Sequence, residues 1–117
     1  MSVPSPLPDP LVELVAQRFR VLSEPARIKL LDALRSGPAS VGELAARAGL
    51  SQQNASKHLG VLHTAGLLQR TRTGSTAQYA IADPTVFTLC ELVCDALRDR
   101  YNALQGVLSP PPEPVGR

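Results

Sequence analysis

Three groups of side chains in this sequence stand at spacings that could do chemistry. Cys90 and Cys94 are four apart, which on a helix places them on one face with β-carbons about 5–6 Å apart. A relaxed disulfide needs about 3.5–4.5 Å between those atoms, so an internal bridge would strain the turn. Two thiolates so placed can instead share one soft metal or metalloid ion, or react with an oxidant, a sulfur species or their symmetry mates in a second copy. The same pair also reads as packing. Val86, Phe87, Leu89, Leu92, Val93, Ala96 and Leu97 surround it, a helix apolar nearly all round, and cysteine is a common small buried residue. Both readings stand. The second group, Ser51, Gln52, Gln53, Ser56, Lys57 and His58, opens a helical stretch. Glutamines suit adenine edges, while serine and lysine suit phosphates. His58 lies at the flank of the apolar side, where a packed imidazole and a DNA contact are both open. The third group is Arg70 and Arg72, on one face of a strand because strand side chains alternate.

Charge distribution supports a polyanionic partner. The formal net charge is only +2, yet no acid occurs from Leu44 through Ala82, a stretch holding Arg47, Lys57, His58, His63, Arg70 and Arg72. A basic, acid-free middle is the footprint of nucleic-acid binding. His63 reads as a helix-surface residue. An enzyme is not expected: no nucleophile stands beside a base, and there is no phosphate loop or metal-water site. Cys90 and Cys94 fall mid-helix, away from the helix N-terminus that activates a thiol.

The elements that must position these groups follow from hydrophobic period and turn chemistry. Apolar residues are 44% of the 117, but aromatics only 3%, so the core is Leu, Val, Ile and Ala. Prolines cluster at the ends, which predicts a disordered arm over 1–9, a single folded domain over 10–108 and a disordered tail over 109–117. Leu11, Leu14, Val15, Phe19 and Leu22 recur at helical spacing after Pro10. Ser23 offers an N-cap for a second helix through Ile28, Leu30, Leu31 and Leu34, ended by Gly37-Pro38. Ser40 and Glu43 form a capping box for a short third helix. After a Gly49-Leu50-Ser51 turn, Ser51 caps a fourth helix to about Ala65, with Ala55, Leu59 and Leu62 inward and Gln53, Ser56, Lys57 and Gly60 outward. Two strands, Leu67–Thr73 and Thr76–Ala82, flank Gly74-Ser75, a pair suited to a type II′ hairpin, with Tyr79 and Ile81 on the inward face. Asp83-Pro84 caps a long last helix. The fold class is mainly α with a two-stranded β wing, α-α-α-α-β-β-α: a winged helix-turn-helix whose fourth helix enters the major groove while the arginine hairpin grips backbone or minor groove. No stretch reaches the roughly 18 apolar residues of a membrane span, and the N-terminus is not a secretory signal, so the expected location is the cytoplasm. The rival reading is a winged helix used for protein–protein contact.

The run from Leu22 to Asp83, and above all SQQNASKHLGVLHTAGLL, resembles the ArsR/SmtB family of winged-helix repressors. The resemblance covers roughly residues 11–105. It implies binding to double-stranded operator DNA, release by an inducer, and a homodimer joined by the first and last helices, here through Leu11, Leu14, Val86, Leu89, Val93 and Leu97. The family's known sensing sites do not carry over. Ser40, Val41 and Gly42 stand where arsenic sensors have a Cys-Val-Cys run. Asp83 and Asp99 could fill two places of the zinc site on the last helix, but Thr85 and Ala96 replace its histidines. A thiophilic metal or metalloid held by Cys90 and Cys94 is the remaining cofactor expectation.

Overall fold

The computed structural model describes residues 3–108. The expected disordered tail over 109–117 lies outside them, as do the first two residues of the expected arm. Two compact units divide between Asp83 and Pro84.

The first unit contains α1 (Asp9–Val21), α2 (Pro25–Ala33) with a 3-10 turn over Leu34–Ser36, β1 (Ala39–Ser40), α3 (Val41–Ala48), α4 (Gln52–Thr64), β2 (Leu68–Thr73) and β3 (Thr76–Ile81). Helix α1 starts two residues earlier than the apolar period predicts, with Pro10 inside its first turn. A proline fits there because a first-turn N–H has no helical partner. Ser23 does not cap α2. Glu24 holds the N-cap position, with Pro25 following it, while the Ser23 hydroxyl donates to the carbonyl of Arg20 at 2.7 Å.

The wing is the third and second strands of a three-stranded antiparallel sheet in the order β1-β3-β2. The expected two-stranded wing is thus present, and a third strand not expected from the sequence extends its sheet. Gly37, at φ +121°, turns the chain after α2, and the next residues extend so that Ala39 pairs with Tyr79 and Ser40 with Gln78. Two residues are too few to show a strand period, so this strand leaves no mark in the sequence. The hairpin closes at Thr73–Thr76. Gly74 has φ +64° and Ser75 a negative φ, the combination a type II′ turn requires.

Leu30, Leu31, Leu34, Ala39, Leu44, Ala55, Leu59, Leu62, Leu67 and Tyr79 form the core. It draws on α2, α3, α4 and the sheet, and α1 contributes no buried residue. The second unit is α5 (Thr85–Leu108). No helix among the described residues is long and apolar enough to cross a membrane.

Candidate nucleic-acid interface

Helix α3 is fixed at both ends. The Ser40 hydroxyl accepts from the Glu43 N–H at 3.2 Å, and the Glu43 carboxylate accepts from the Ser40 N–H at 2.9 Å. That backbone bond, reinforced by the Ser40 hydroxyl and by Arg47, holds the Glu43 pKa below the ordinary carboxylate value. At the far end Gly49 adopts the left-handed conformation, φ +67°, and the Leu50 N–H returns to the carbonyl of Ala45 at 2.9 Å. Left-handed backbone strains any residue with a β-carbon, which is why glycine stands at the bend.

The chain then enters α4 through Ser51, whose hydroxyl accepts from the Asn54 N–H at 3.1 Å. Ala55, His58, Leu59 and Leu62 are buried along one side of α4. Gln52, Gln53, Ser56 and Lys57 are exposed, and Gly60 is half-buried between the two. Ser51, Gln53, Asn54 and Lys57 line a shallow open depression at the start of the helix. Free N–H groups at a helix start favour phosphate.

Strand register decides where the wing arginines go. Leu68 pairs with Ile81, Arg70 with Tyr79 and Arg72 with Ala77. Directly opposed residues share a face, so the arginines lie on the face that buries Leu68 and Tyr79 at the ribbon's base. Where the ribbon outruns the core, that face becomes exposed and cationic. Among the described residues neither arginine has an ion-pair partner. His63 meets Tyr79 edge to face, ring centroids 6.3 Å apart, seating the ribbon on the last turn of α4.

Three other arginines of this unit are occupied at helix ends. Arg18 reaches the carbonyl of Ala65, beyond the end of α4, at 3.4 Å, and Asp83 at 3.5 Å. Arg27 donates to the carbonyl of Val21, the last residue of α1, at 3.0 Å, and Arg47 to that of Ala33, the last residue of α2, at 3.4 Å. Each guanidinium thus sits where a helix end carries orphan carbonyls and partial negative charge. Arg47 therefore drops out of the basic footprint that composition suggested.

His58 does not sit where the DNA-contact expectation placed it. It is 8% exposed, and its Nδ1 accepts from Arg27 Nε at 3.2 Å. One helical step from Lys57 carries it round to the core side. Arg27, which no sequence motif singled out, is the partner that sequence reasoning missed; an arginine amid the apolar run of α2 was the only hint.

On α5, Cys94 is exposed and Cys90 half-buried, both as thiols. Among the described residues no group of three or more His, Cys, Asp or Glu could hold a metal within one chain. Of the residues expected at a dimer interface, Leu14 (62% exposed), Val93 and Leu97 (57%) are open, while Leu11 and Leu89 are half-buried. Val86, also expected there, is 4% exposed. Val12, Val15 and Phe19 on α1, with Leu92, Tyr101 and Leu104 on α5, are exposed apolar residues beyond those expected.

A family model described as a helix-turn-helix domain matches residues 22–71. The uncharacterized HTH-type transcriptional regulator Rv0081 of Mycobacterium tuberculosis is 37% identical over 102 residues, covering 83% of this chain and 90% of its own length. Its crystal structure superposes with a TM-score of 0.73 at 36% identity, over 82% of this chain and 97% of that one. A homodimeric winged helix-turn-helix DNA-binding domain from Mycobacterium bovis, a possible ArsR-family regulator, gives 0.68 at 30% identity over 81% and 91% of the two chains. The antimony-specific transcriptional repressor AntR gives 0.75 at 31% identity over 85% and 90%.

Proposed function

The chain belongs to the ArsR/SmtB family of DNA-binding transcriptional regulators, and from that premise we propose that it is a homodimeric, non-enzymatic operator repressor whose grip on DNA is released through Cys90 and Cys94. The observation that carries the DNA assignment is the exposed, acid-free face of α4 (Gln52, Gln53, Ser56 and Lys57) beside a wing with two unpaired arginines. In this reading Gln52 and Gln53 meet base edges, Ser51, Ser56 and Lys57 meet phosphates or edges nearby, and Arg70 and Arg72 hold the backbone beside the groove. The Ser51 hydroxyl accepts from Asn54 N–H and can still donate its own proton to a phosphate oxygen. A cytoplasmic location belongs to the same proposal.

The thiol pair fits a soft ion in part. Two thiols on successive turns of α5 supply two donors, and among the described residues no third completes a group with them in one chain. A site of three or four ligands therefore needs the partner copy, which the exposed apolar faces of α1 and α5 would bring alongside. The repressor AntR, a structural neighbour, is specific for antimony, a thiophilic element of the class these donors favour. If an ion binds, the thiolates would be its ligands and the pull on α5 its effect.

The test is duplex binding by wild type and by the double variant Cys90→Ser/Cys94→Ser, with antimonite, arsenite, mercuric ion, peroxide and polysulfide each titrated in. The expected result is release of wild type by at least one of them and retention of the double variant. Identical behaviour of the two proteins under every condition would remove the cysteines from the mechanism. Absence of any salt-sensitive duplex binding would remove the operator, leaving the protein-contact reading.

A further inference from the structure

Arg27 and His58 make a polar bridge through an otherwise apolar helix junction. Arg27, on α2, donates through Nη1 to the carbonyl that ends α1 and through Nε to the imidazole at the middle of α4. One planar cation thereby joins three helices, one of them the DNA-reading helix. His58 is the only buried polar or charged residue among those described. It follows directly on Ser56 and Lys57, so any tilt of α4 about His58 moves the proposed DNA contacts.

The bridge exists in only one protonation state. A guanidinium has donors and no acceptor, so His58 Nδ1 must be bare and its proton must sit on Nε2. Adding a second proton turns the acceptor into a donor facing a donor, and sets a cation against a cation in a site removed from water. Among the described residues no carboxylate is bonded to the pair to offset that charge; Glu24, one turn before Arg27, is exposed. From α2, Arg27 faces His58, while Asp32 pairs with Arg35 at 3.2 Å and Lys29 is exposed. From α3, Glu43 is bound to Ser40 and Arg47 to the Ala33 carbonyl. From β2, Arg70 and Arg72 are exposed; from the end of α1, Arg18 is tied to Ala65 and Asp83, and Arg20 is exposed. On α4 itself stand Lys57, exposed, and His63 against Tyr79. Among the described residues no carboxylate pairs with His58.

We propose that Arg27 and His58 are positioning residues for the recognition helix, and that protonating His58 breaks the bridge and weakens DNA binding. The inference rests on the operator reading above but concerns a different part of the molecule. Its sign is diagnostic. Protonation of an ordinary histidine adds positive charge and strengthens attraction to phosphate, whereas here acidification must weaken it.

The probe is a duplex of about 30 base pairs, room for two half-sites one turn apart, selected from a random pool by wild-type protein. Wild-type affinity is expected to fall about tenfold or more between a neutral buffer and the most acid one that leaves helical circular dichroism unchanged. His58→Asn places a carbonyl where Nδ1 stood and cannot titrate. It should bind within about threefold of wild type at the higher pH and stay flat. His63→Gln, which alters the other of the two histidines, should keep the wild-type fall. Nitrogen-15 NMR of the imidazoles gives a readout that needs no variant. His58 should be the Nε2–H tautomer at the higher pH, and loss of affinity should track its titration. Affinity that rises or stays level in acid, a His58→Asn protein that still falls, loss that tracks His63, or an Nδ1–H tautomer would each overturn the proposal. If no duplex is selected at all, the operator reading fails, and this inference with it.

Discussion

Under the proposed reading, single side chains in this domain divide into those that would grip DNA and those that hold the gripping parts still. Lys57, Arg70 and Arg72 are exposed, so each should act as a countercharge. Arg72→Ala is expected to weaken duplex binding similarly on all sequences and to lower the slope of log affinity against log salt by about 1 for each phosphate that is no longer neutralised. Gln53→Ala should leave that slope alone and relax the preference at one base position, a discrimination of about 1–3 kcal/mol. Binding titrations across salt and across single-base variants of one duplex distinguish the two, and an unchanged preference in Gln53→Ala would take that residue off the base edges. Arg47→Ala should change stability and not the salt slope, because its guanidinium caps α2. Composition exposed the basic stretch but could not sort it. Which arginine is spent on a carbonyl depends on pairings far apart in sequence, such as Arg18 with Ala65, and no local pattern encodes those.

At the level of elements, the helices and turns are largely legible in the sequence because their signals are short-range. The Ser40/Glu43 box, the αL glycine at 49 and the Ser51 cap all announce themselves within four residues. What escapes are features made by partners distant in the chain: β1 against β3, and the bridge through Arg27. The bend between α3 and α4 gives a direct test. Gly49→Ala meets no steric neighbour, yet must hold φ +67°, so it should cost about 1 kcal/mol in urea unfolding. A variant as stable as wild type would show that the bend tolerates another conformation. The capping box predicts a pH dependence. Glu43 has a lowered folded pKa, so its contribution is complete above the unfolded carboxylate value of about 4.3 and is lost as pH falls through the lower folded one. Wild type should therefore lose stability in that acid window more steeply than Glu43→Ala, as thermal melts across pH would record. Parallel curves would mean the carboxylate adds nothing to the start of α3.

For the whole molecule, the decisive fact is how much apolar surface a lone chain leaves wet. Leu14, Val15 and Phe19 on α1 and Leu92, Val93, Leu97 and Tyr101 on α5 are exposed, a quantity unusual for a monomer and ordinary for half of an obligate pair. Phe19→Asp combined with Leu97→Asp is expected to give a folded monomer by sedimentation that has lost most of its affinity for a two-half-site duplex. A dimer that survives both charges would place the interface elsewhere. Periodicity made both faces legible, although it could not tell that Val86 is buried while Leu97 is exposed. The leading helix carries a further consequence. With no residue of its own in the core, and thirteen residues being marginal for an isolated helix in water, α1 depends on association to stay wound. Dilution should unravel it ahead of the rest and open it to proteolysis. Copies too scarce to find a mate would then be trimmed first, so that the regulator is cleared at low abundance and spared once it is plentiful.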